Sequence, residues 1–166
     1  MGMITRDAAL AMESPALNTL WRLTVPFVQY DTHIFAENMS ATWPKIPSRP
    51  RATAGSNTYY PEVMDIDGIS ATFYETERHD VTRWFANWQS LICDSDGNYG
   101  VPKDYKKDCV AELFARTELS SPILTLRYSG VWPTDKSPYQ LSYDDETGRL
   151  TVEVQFATDS VEIVYS

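Results

Sequence analysis

The sequence has few of the residues on which metal-binding or disulfide-stabilised domains depend. Its 166 residues include two cysteines and two histidines. Cys93 and Cys109 cannot build a disulfide framework or a CxxC metal motif. His33 and His79 lack further ligands at a recognisable zinc spacing. We therefore expect free thiols, as in a reducing compartment, with no metal and no cofactor.

Long apolar runs and positive charge are also scarce. No apolar run approaches the ~18 residues of a membrane span, and the first fifteen residues lack the layout of a signal peptide. We expect a protein that is made in a cytoplasm and is soluble there. Lys and Arg number 14 against 23 Asp and Glu, a net charge of −9. This balance excludes nucleic-acid binding driven by bulk charge.

The common catalytic signatures GxSxG, GxGxxG and the P-loop are absent, so we expect no enzyme. Asp94, Asp96 and Asn98 have the spacing of a calcium loop. However, Tyr99 stands where that loop needs glycine, and Tyr105 where it needs glutamate. A plain turn is the preferred interpretation.

Three other polar or reactive positions have plain structural interpretations. The acidic run 144–146 could hold a cation, but a solvated hairpin turn is preferred. His79 and Asp80 could be half of an acid–base pair, but adjacent helix residues point in different directions, which favours a cap or surface role. Cys109 lies on a predicted strand and is interpreted as packing.

Alternating apolar and polar residues, typical of half-buried strands, recur along the chain. They predict strands over residues 21–27, 33–42, 57–63, 69–74, 108–116, 123–132, 139–143, 150–156 and 161–165. Turns are expected at 65–68, between the third and fourth of these strands, and at 144–148. A break is expected at Pro133-Thr134-Asp135. The pattern indicates one mainly β domain over 1–166, a barrel or folded-over antiparallel sheet.

One segment, 78–93, has helical periodicity. Its apolar residues recur every three or four positions, namely Val81, Trp84, Phe85, Trp88, Leu91 and Ile92. We expect Thr76 to cap this helix. Two tryptophans on one stripe predict that the helix packs across an open sheet face.

Residues 43–56 form a basic segment in an acidic protein. They contain three prolines and three cations, Lys45, Arg49 and Arg51, and no acid. Proline at this density disfavours helices and central strands. The sequence therefore predicts an extended, exposed loop or the tip of a long hairpin, following an N-terminal arm over 1–20.

A set of short motifs over about residues 68–160 resembles the tail tube proteins of contractile-tailed bacteriophages. The motifs, in order, are His79-Asp80, Phe85, Trp88-Gln89-Ser90, Asp104-Tyr105-Lys106-Lys107, Ala115-Arg116, Gly130-Val131-Trp132-Pro133-Thr134 and the closing LTVEVQFATD. The resemblance implies an Hcp-like β-barrel with a flanking helix, the fold of the type VI secretion tube protein. It also implies hexameric rings, stacked into a hollow tube inside a contractile sheath, with neither catalytic residues nor a cofactor.

The implied partners are other copies of the chain, a sheath protein, and baseplate and tail terminator proteins. Double-stranded DNA would pass through without specific binding, and no membrane is involved. The implied location is the virion tail, assembled in the bacterial host cytoplasm. An acidic channel suits this role because carboxylates repel phosphates and no counterions are released.

Within that resemblance, two groups of residues are candidates for assembly. Contacts between rings are assigned to the basic loop and, second, to the arm: Lys45, Arg49, Arg51, Arg6 and Asp7. The channel or the outer surface is assigned to three polar strand residues: Glu112, Glu153 and Gln155. Trp84, Trp88 and Trp132 are interpreted as packing.

Three alternatives remain open from the sequence. A baseplate paralogue that initiates the tube and a type VI secretion-like tube subunit lie within the same fold family. A small enzyme or ligand-binding barrel is the alternative from another class, and it would need a pocket with convergent polar groups.

Overall fold

The computed structural model describes residues 20–26, 35–53, 55–115, 118–139 and 148–165. These residues form eleven strands and two helices. The strands are β1 Trp21–Thr24, β2 Phe35–Ser40, β3 Pro44–Lys45, β4 Ser48–Thr53, β5 Ser56–Pro61, β6 Asp65–Ile66, β7 Ile69–Tyr74, β8 Lys107–Ala115, β9 Glu118–Lys136, β10 Thr151–Ala157 and β11 Ser160–Tyr165. The helices are α1 Asp80–Ile92 and α2 Pro102–Tyr105.

The main sheet is antiparallel and folds over along one long strand, β9. The strand order is β1-β8-β9-β10-β7-β2, and β11 also pairs with β9. Up to residue 131, β9 pairs with β8 and β11; from residue 132 it pairs with β10. We call β1, β8, β11 and the first part of β9 the first sheet. The second sheet is residues 132–136 of β9 with β10, β7 and β2.

The core lies where the two sheets and α1 meet. Burial alternates along β7 and β10, so one face of the second sheet is apolar and packed. Trp84 and Trp88 of α1 cover this face, with ring centroids 5.5 Å from Phe73 and 5.9 Å from Phe156, respectively. The prediction of a mainly β fold with a flanking helix on its tryptophan stripe is confirmed.

The start of α1 is held mainly by a carboxylate that precedes it in the chain. Glu75 accepts hydrogen bonds from the backbone amides of Thr76, Val81 and Thr82, from the Thr82 hydroxyl at 2.7 Å and from the Tyr139 hydroxyl at 3.0 Å. The predicted cap residue is wrong, because His79 and not Thr76 precedes the helix, but Thr76 Oγ1 still accepts a hydrogen bond from the Asp80 amide at 3.2 Å. His79 occupies the cap position with φ 56° and makes no side-chain cap bond.

These bonds set the pKa of Glu75. Partial burial alone would raise the pKa, but the hydrogen bonds from Thr82, Tyr139, Val81 and Thr76 outweigh burial and lower it below the ordinary value of 4.5. The ionised carboxylate also lies at the positive end of the helix dipole, which favours the charged form.

Two predictions of connectivity are wrong. Pro133-Thr134-Asp135 does not break the chain, because β9 continues to Lys136 and pairs with β10 through a bulge. A proline is tolerated at such a bulge. The Asp65–Gly68 turn does not join paired strands either. Instead β5 pairs with β4, and β6 pairs with β3.

Several sequence predictions fall partly or wholly outside the described residues. They are the arm at residues 1–19, Phe27, residues 33 and 34 of the second strand, Arg116, and most of the predicted strand 139–143 with the acidic turn that follows it.

Candidate assembly surfaces

Strands β4 and β5 form a hairpin that presents both of its faces to solvent. The two strands pair in continuous register from Ser48 opposite Pro61 to Thr53 opposite Ser56. All six residues of β5 are exposed. Since cross-strand partners share a face, Arg49, Tyr60 and Arg51 lie on one side, while Pro50 and Tyr59 lie on the other. Of the two predicted arrangements, an extended loop or the tip of a long hairpin, the structure has a hairpin; residues 43–56 supply β3 and β4 and reach the first residue of β5.

Lys45 and Arg49, two of the predicted loop cations, lie near acidic side chains of residues 62–67. Lys45 Nζ lies 2.5 Å from Asp67 Oδ1 and 4.0 Å from Asp65. The hydrogen bond to Asp67 raises the pKa of Lys45. Arg49 Nε lies 3.9 Å from a Glu62 oxygen. The segment is basic in sequence, but acids from residues 62–67 balance part of its charge in space.

The hairpin and its base also expose a set of large apolar side chains that sequence analysis did not single out. Val63 is 87% exposed and Tyr59 is 64% exposed. The full set is Trp43, Ile46, Tyr59, Tyr60, Val63 and Met64. Exposed apolar residues gathered in one region are typical of protein–protein contacts. The sequence signal for this exposed set is the two adjacent apolar pairs, Tyr59-Tyr60 and Val63-Met64. The strand pattern alone suggests that these residues are buried.

Glu153 and Gln155 lie on the polar face of the second sheet. Both are exposed on β10, while Val152, Val154 and Phe156, which alternate with them, are buried in the core. Register places Thr72 opposite Glu153, and Ser70 and Asp135 opposite Gln155 on its two sides. This face of the sheet is therefore polar and, among the described residues, exposed at the carboxylates of Glu153 and Asp135.

Glu112 lies on a different surface, in the first sheet. Its carboxylate accepts a hydrogen bond from Arg22 Nε at 2.8 Å and lies 2.7 Å from a second nitrogen of the same guanidinium. A second cross-strand ion pair on the same face joins Arg127 and Glu162 at 3.6 Å. The structure thus separates Glu112 from Glu153 and Gln155.

Two of the candidate residues for contacts between rings, Arg6 and Asp7 of the arm, lie outside the described residues.

The loop with the spacing of a calcium site, residues 94–98, is a hydrogen-bonded turn. Asp94 accepts hydrogen bonds from the amides of Asp96 and Asn98 at 2.9 and 2.8 Å, and from the Asn98 side chain at 3.1 Å. The bond from the Asn98 amide is the main reason that the pKa of Asp94 is lowered. Within the described ranges, no group of three or more His, Cys, Asp or Glu residues is placed to hold a metal ion.

The separate sequence motifs converge on one corner of the fold, where β9 turns from one sheet to the other. Gly130 adopts φ 67° there, and any Cβ on it would collide with the Asp159 carboxylate. That carboxylate binds Lys106 Nζ at 2.7 and 2.8 Å. Tyr105 packs edge-on against Trp132, with centroids 6.2 Å apart. The Tyr105 carbonyl accepts the Trp88 indole N–H at 2.7 Å. These motifs therefore specify packing of the corner.

Comparison with known proteins gives this corner and the sheet topology a family context. No protein-family model matches the chain. The tail tube protein gp19 of Enterobacteria phage T4 is 31% identical over 121 residues, which make up 69% of this chain and 69% of that protein. The chain belongs to the phage tail tube protein family.

Solved structures show the same fold at low identity. A chain of the anti-feeding prophage tube terminating cap has a TM-score of 0.72 and 13% identity, covering 99% of this chain and 100% of that one. A chain of the PVC sheath-tube complex, an extracellular contractile injection system, has a TM-score of 0.58 and 15% identity, covering 98% and 99%. Hcp1 of Flavobacterium johnsoniae has a TM-score of 0.53 and 14% identity, covering 89% and 96%.

Membership of the tail tube family confirms the coarse predictions. The chain is a structural tube subunit and not an enzyme, since its relatives are tail tube proteins, and it is a component of the virion tail. The fold is that of Hcp and contractile injection system tubes. Neither helix in the described part of the chain has the length and apolar character needed to cross a membrane.

Proposed function

We propose that this chain is the major subunit of the inner tail tube of a contractile-tailed phage. Six copies close a ring, rings stack inside the sheath, and the channel conducts double-stranded DNA during ejection. The observation that carries the proposal is family membership combined with a second sheet whose two edge strands have no further partner strand among the described residues. One neighbouring structure, an anti-feeding prophage baseplate, is described as 6-fold symmetrised, which supports the ring size.

Ring closure is assigned to the edges of the second sheet. Among the described residues, β2 pairs only with β7, and residues 132–136 of β9 pair only with β10. An open edge is a liability in a monomer. Pairing β2 of one copy with β9 of the next is a heterologous contact, and such contacts generate rings when their rotation closes.

The channel wall is assigned to the polar face of the second sheet. Six copies with four strands each would give about 24 strands, and at ~4.8 Å between strands the circumference is ~115 Å before strand tilt widens it. Glu153 and Asp135 would repeat around this wall. Their carboxylates repel DNA phosphates, so the channel would conduct DNA without retaining it. Gln155 and Ser70 add neutral polar groups to the same face.

The opposite surface, on the first sheet, is assigned to the outside of the tube. There Glu112 pairs with Arg22, and Arg127 with Glu162, so this face carries charges of both signs. We assign the sheath to this side. Baseplate and tail terminator proteins are proposed to contact the two ends of the tube. Cap and sheath-tube assemblies among the fold neighbours support partners of these kinds.

Contacts between rings are assigned to the hairpin. Arg49 and Arg51 remain the proposed contact residues, with Tyr59 and Tyr60 adding apolar area. Lys45 sits beside Asp67 and is better placed to stabilise the base. Arg6 and Asp7 of the arm stay a second, weaker proposal for the same contacts.

Negative-stain microscopy of the purified protein tests the proposal. Rings or hollow rods are expected, whereas uniform monomers at high concentration would contradict it.

Replacing Lys45, Arg49 and Arg51 with serine should shorten rods more than it lowers ring yield. Unchanged rods would show that this segment does not take part in the contacts between rings. A gel shift should detect no DNA binding at moderate salt, and a tight complex would contradict an acidic channel.

A baseplate initiator and a type VI secretion-like tube subunit remain alternatives. Rod length separates the first, because an initiator should give single rings or short stacks where a major subunit gives long rods. Co-expression with sheath and tail terminator proteins of a phage separates the second, since a phage subunit should be incorporated into their tails.

A further inference from the structure

A second group of exposed apolar side chains lies at the end of α1 and in the loop that follows it. Tyr99 is 84% exposed, Val101 is 54% exposed and Leu91 is 40% exposed. We call these three side chains, together with Asp96 and Asp104, the loop patch. The patch belongs to neither the polar face of the second sheet nor the ion-paired face of the first.

The backbone around the loop patch is well fixed. The Gly100 amide donates to the Ile92 carbonyl at 2.9 Å, and Cys93 forms an isolated bridge with Tyr99. The three hydrogen bonds to Asp94 hold the intervening turn. An exposed tyrosine on an ordered backbone presents contact area that needs little further ordering on binding.

Charge makes the loop patch complementary to the hairpin. Residues 94–104 contain Asp94, Asp96 and Asp104 against Lys103 alone, a net charge of −2. Residues 48–62 contain Arg49 and Arg51 against Glu62, which lies 3.9 Å from Arg49, a net charge of +1. Each surface also exposes tyrosine, so the two match in both charge and apolar character.

We propose that the loop patch is the receptor for the hairpin of a second copy of this chain. The inference rests on the proposed tube function and names the surface that the hairpin contacts. Tyr60 and Tyr99 are both at least half exposed within one subunit, so the two surfaces do not cover each other there. The contact is therefore between copies and heterologous, with each copy giving a hairpin and receiving one, which propagates along a stack.

The hairpin face that fits best is the one carrying Arg49, Tyr60 and Arg51. Arg49 lies opposite Tyr60, and Arg51 is two residues along the same strand. This face places two cations beside an aromatic ring. The loop patch offers the carboxylates of Asp96 and Asp104 on the same loop as the exposed ring of Tyr99, so guanidinium–carboxylate and ring contacts would form together.

A charge-swap series tests the pairing. Variant R49E/R51E and variant D96K/D104K should each lower rod yield by more than about tenfold, because like charges then face each other. The quadruple variant, with all four substitutions in one chain, should recover rods. Mixing the two double variants should also recover rods, since every contact between unlike copies is then complementary.

The control is E77K, which reverses one exposed acid outside both surfaces and outside the ion-paired face and should leave rods unchanged. Urea unfolding of each variant shows that the subunit is intact. Normal rods from D96K/D104K, or no recovery in the quadruple variant, would overturn the pairing. If wild-type protein formed no rods, the tube function itself would fail, which is a distinguishable result.

A cysteine pair gives an independent measurement. Y60C/Y99C should form disulfide-linked multimers on oxidation of assembled rods, whereas Y165C/Y99C should not. Equal cross-linking of the two cysteine variants would show that the hairpin does not bind specifically at the loop patch. Cross-linking of Y99C to added sheath protein in preference to a second copy would assign the loop patch to the sheath and overturn the proposal.

Discussion

The second sheet and the hairpin are both antiparallel and both paired in regular register, yet only the sheet buries a face. Along β7 every second side chain enters the core, whereas along β5 all six are exposed. Backbone pairing alone therefore says little about where the stability of this molecule lies. The sheet gains its stability from tryptophans that cover it, and the hairpin is left with apolar surface for another molecule.

Trp88→Ala should have the largest effect on the subunit. Trp88 is 1% exposed, contacts Phe156 and bonds to the Tyr105 carbonyl. We expect a loss of about 3–5 kcal/mol in the free energy of unfolding, measured by urea titration of monomeric protein. Trp43→Ala, at an exposed position beside the hairpin, is the matched control. An equal loss of unfolding free energy in the two variants would contradict the view that the second sheet, and not the hairpin, carries the stability.

Gly130→Ala should rank second. The residue holds φ 67°, which costs a non-glycine residue about 1–2 kcal/mol, and the new Cβ would also push Asp159 off Lys106. We expect a total loss of about 2–3 kcal/mol. Gly97→Ala has a positive φ of 84° with open space around it, so it should cost only the conformational part. Equal losses would mean that the Asp159 contact contributes nothing.

Glu75→Gln should have a smaller, pH-dependent effect of about 1 kcal/mol at neutral pH, because an ionised cap at the start of α1 is lost. The pKa of Glu75 is lowered on folding. Its contribution is therefore complete above the unfolded value, near 4.5, and disappears as pH falls through the lower folded value. Unfolding curves between about pH 6 and 3 should show wild type losing stability faster than the variant. Parallel curves would contradict this role.

Tyr60→Ser with Val63→Ser should change unfolding by only about 0.5 kcal/mol or less, because both side chains are at least half exposed. Rod formation, scored by micrographs and sedimentation, should nevertheless be lost. Tyr165→Ser removes a similarly exposed tyrosine elsewhere and should leave rods intact. Large destabilisation by the hairpin variant would show that the hairpin belongs to the folding unit.

Much of the fold could be predicted because it follows from local periodicity. The predicted stripe is a property of a helix with 3.6 residues per turn, and Val81, Trp84, Phe85 and Trp88 are buried as expected. Its last part is not, because Leu91 is 40% exposed and Ile92 only half-buried at the end of the helix. The β-strand alternation held through β7 and β10. The prediction failed at Pro133, where the local rule for proline was overridden by a bulge opposite β10 that only the assembled sheet provides.

The candidate site was less predictable because charge and exposure depend on distant residues. In the sequence, Lys45 and Arg49 belong to a segment without acidic residues. In the structure, Asp67 and Glu62 lie beside them, because the strands that follow the hairpin bring these acids back to its start. Tyr59 and Tyr60 fit a half-buried strand by composition, yet no element packs over them in the part of the chain that the structure describes. Glu112 and Glu153 looked alike in sequence and lie on different sheets.

By itself, the sequence determined the alternation of the strands, the apolar stripe of the helix and the family to which the chain belongs, since these follow from backbone geometry and short motifs. Only the tertiary structure decided that β9 bends at Gly130 to link two sheets, that the basic segment is partly balanced by acids, and which surfaces stay uncovered. These features depend on contacts between residues far apart in the chain, and such contacts leave no period in the sequence.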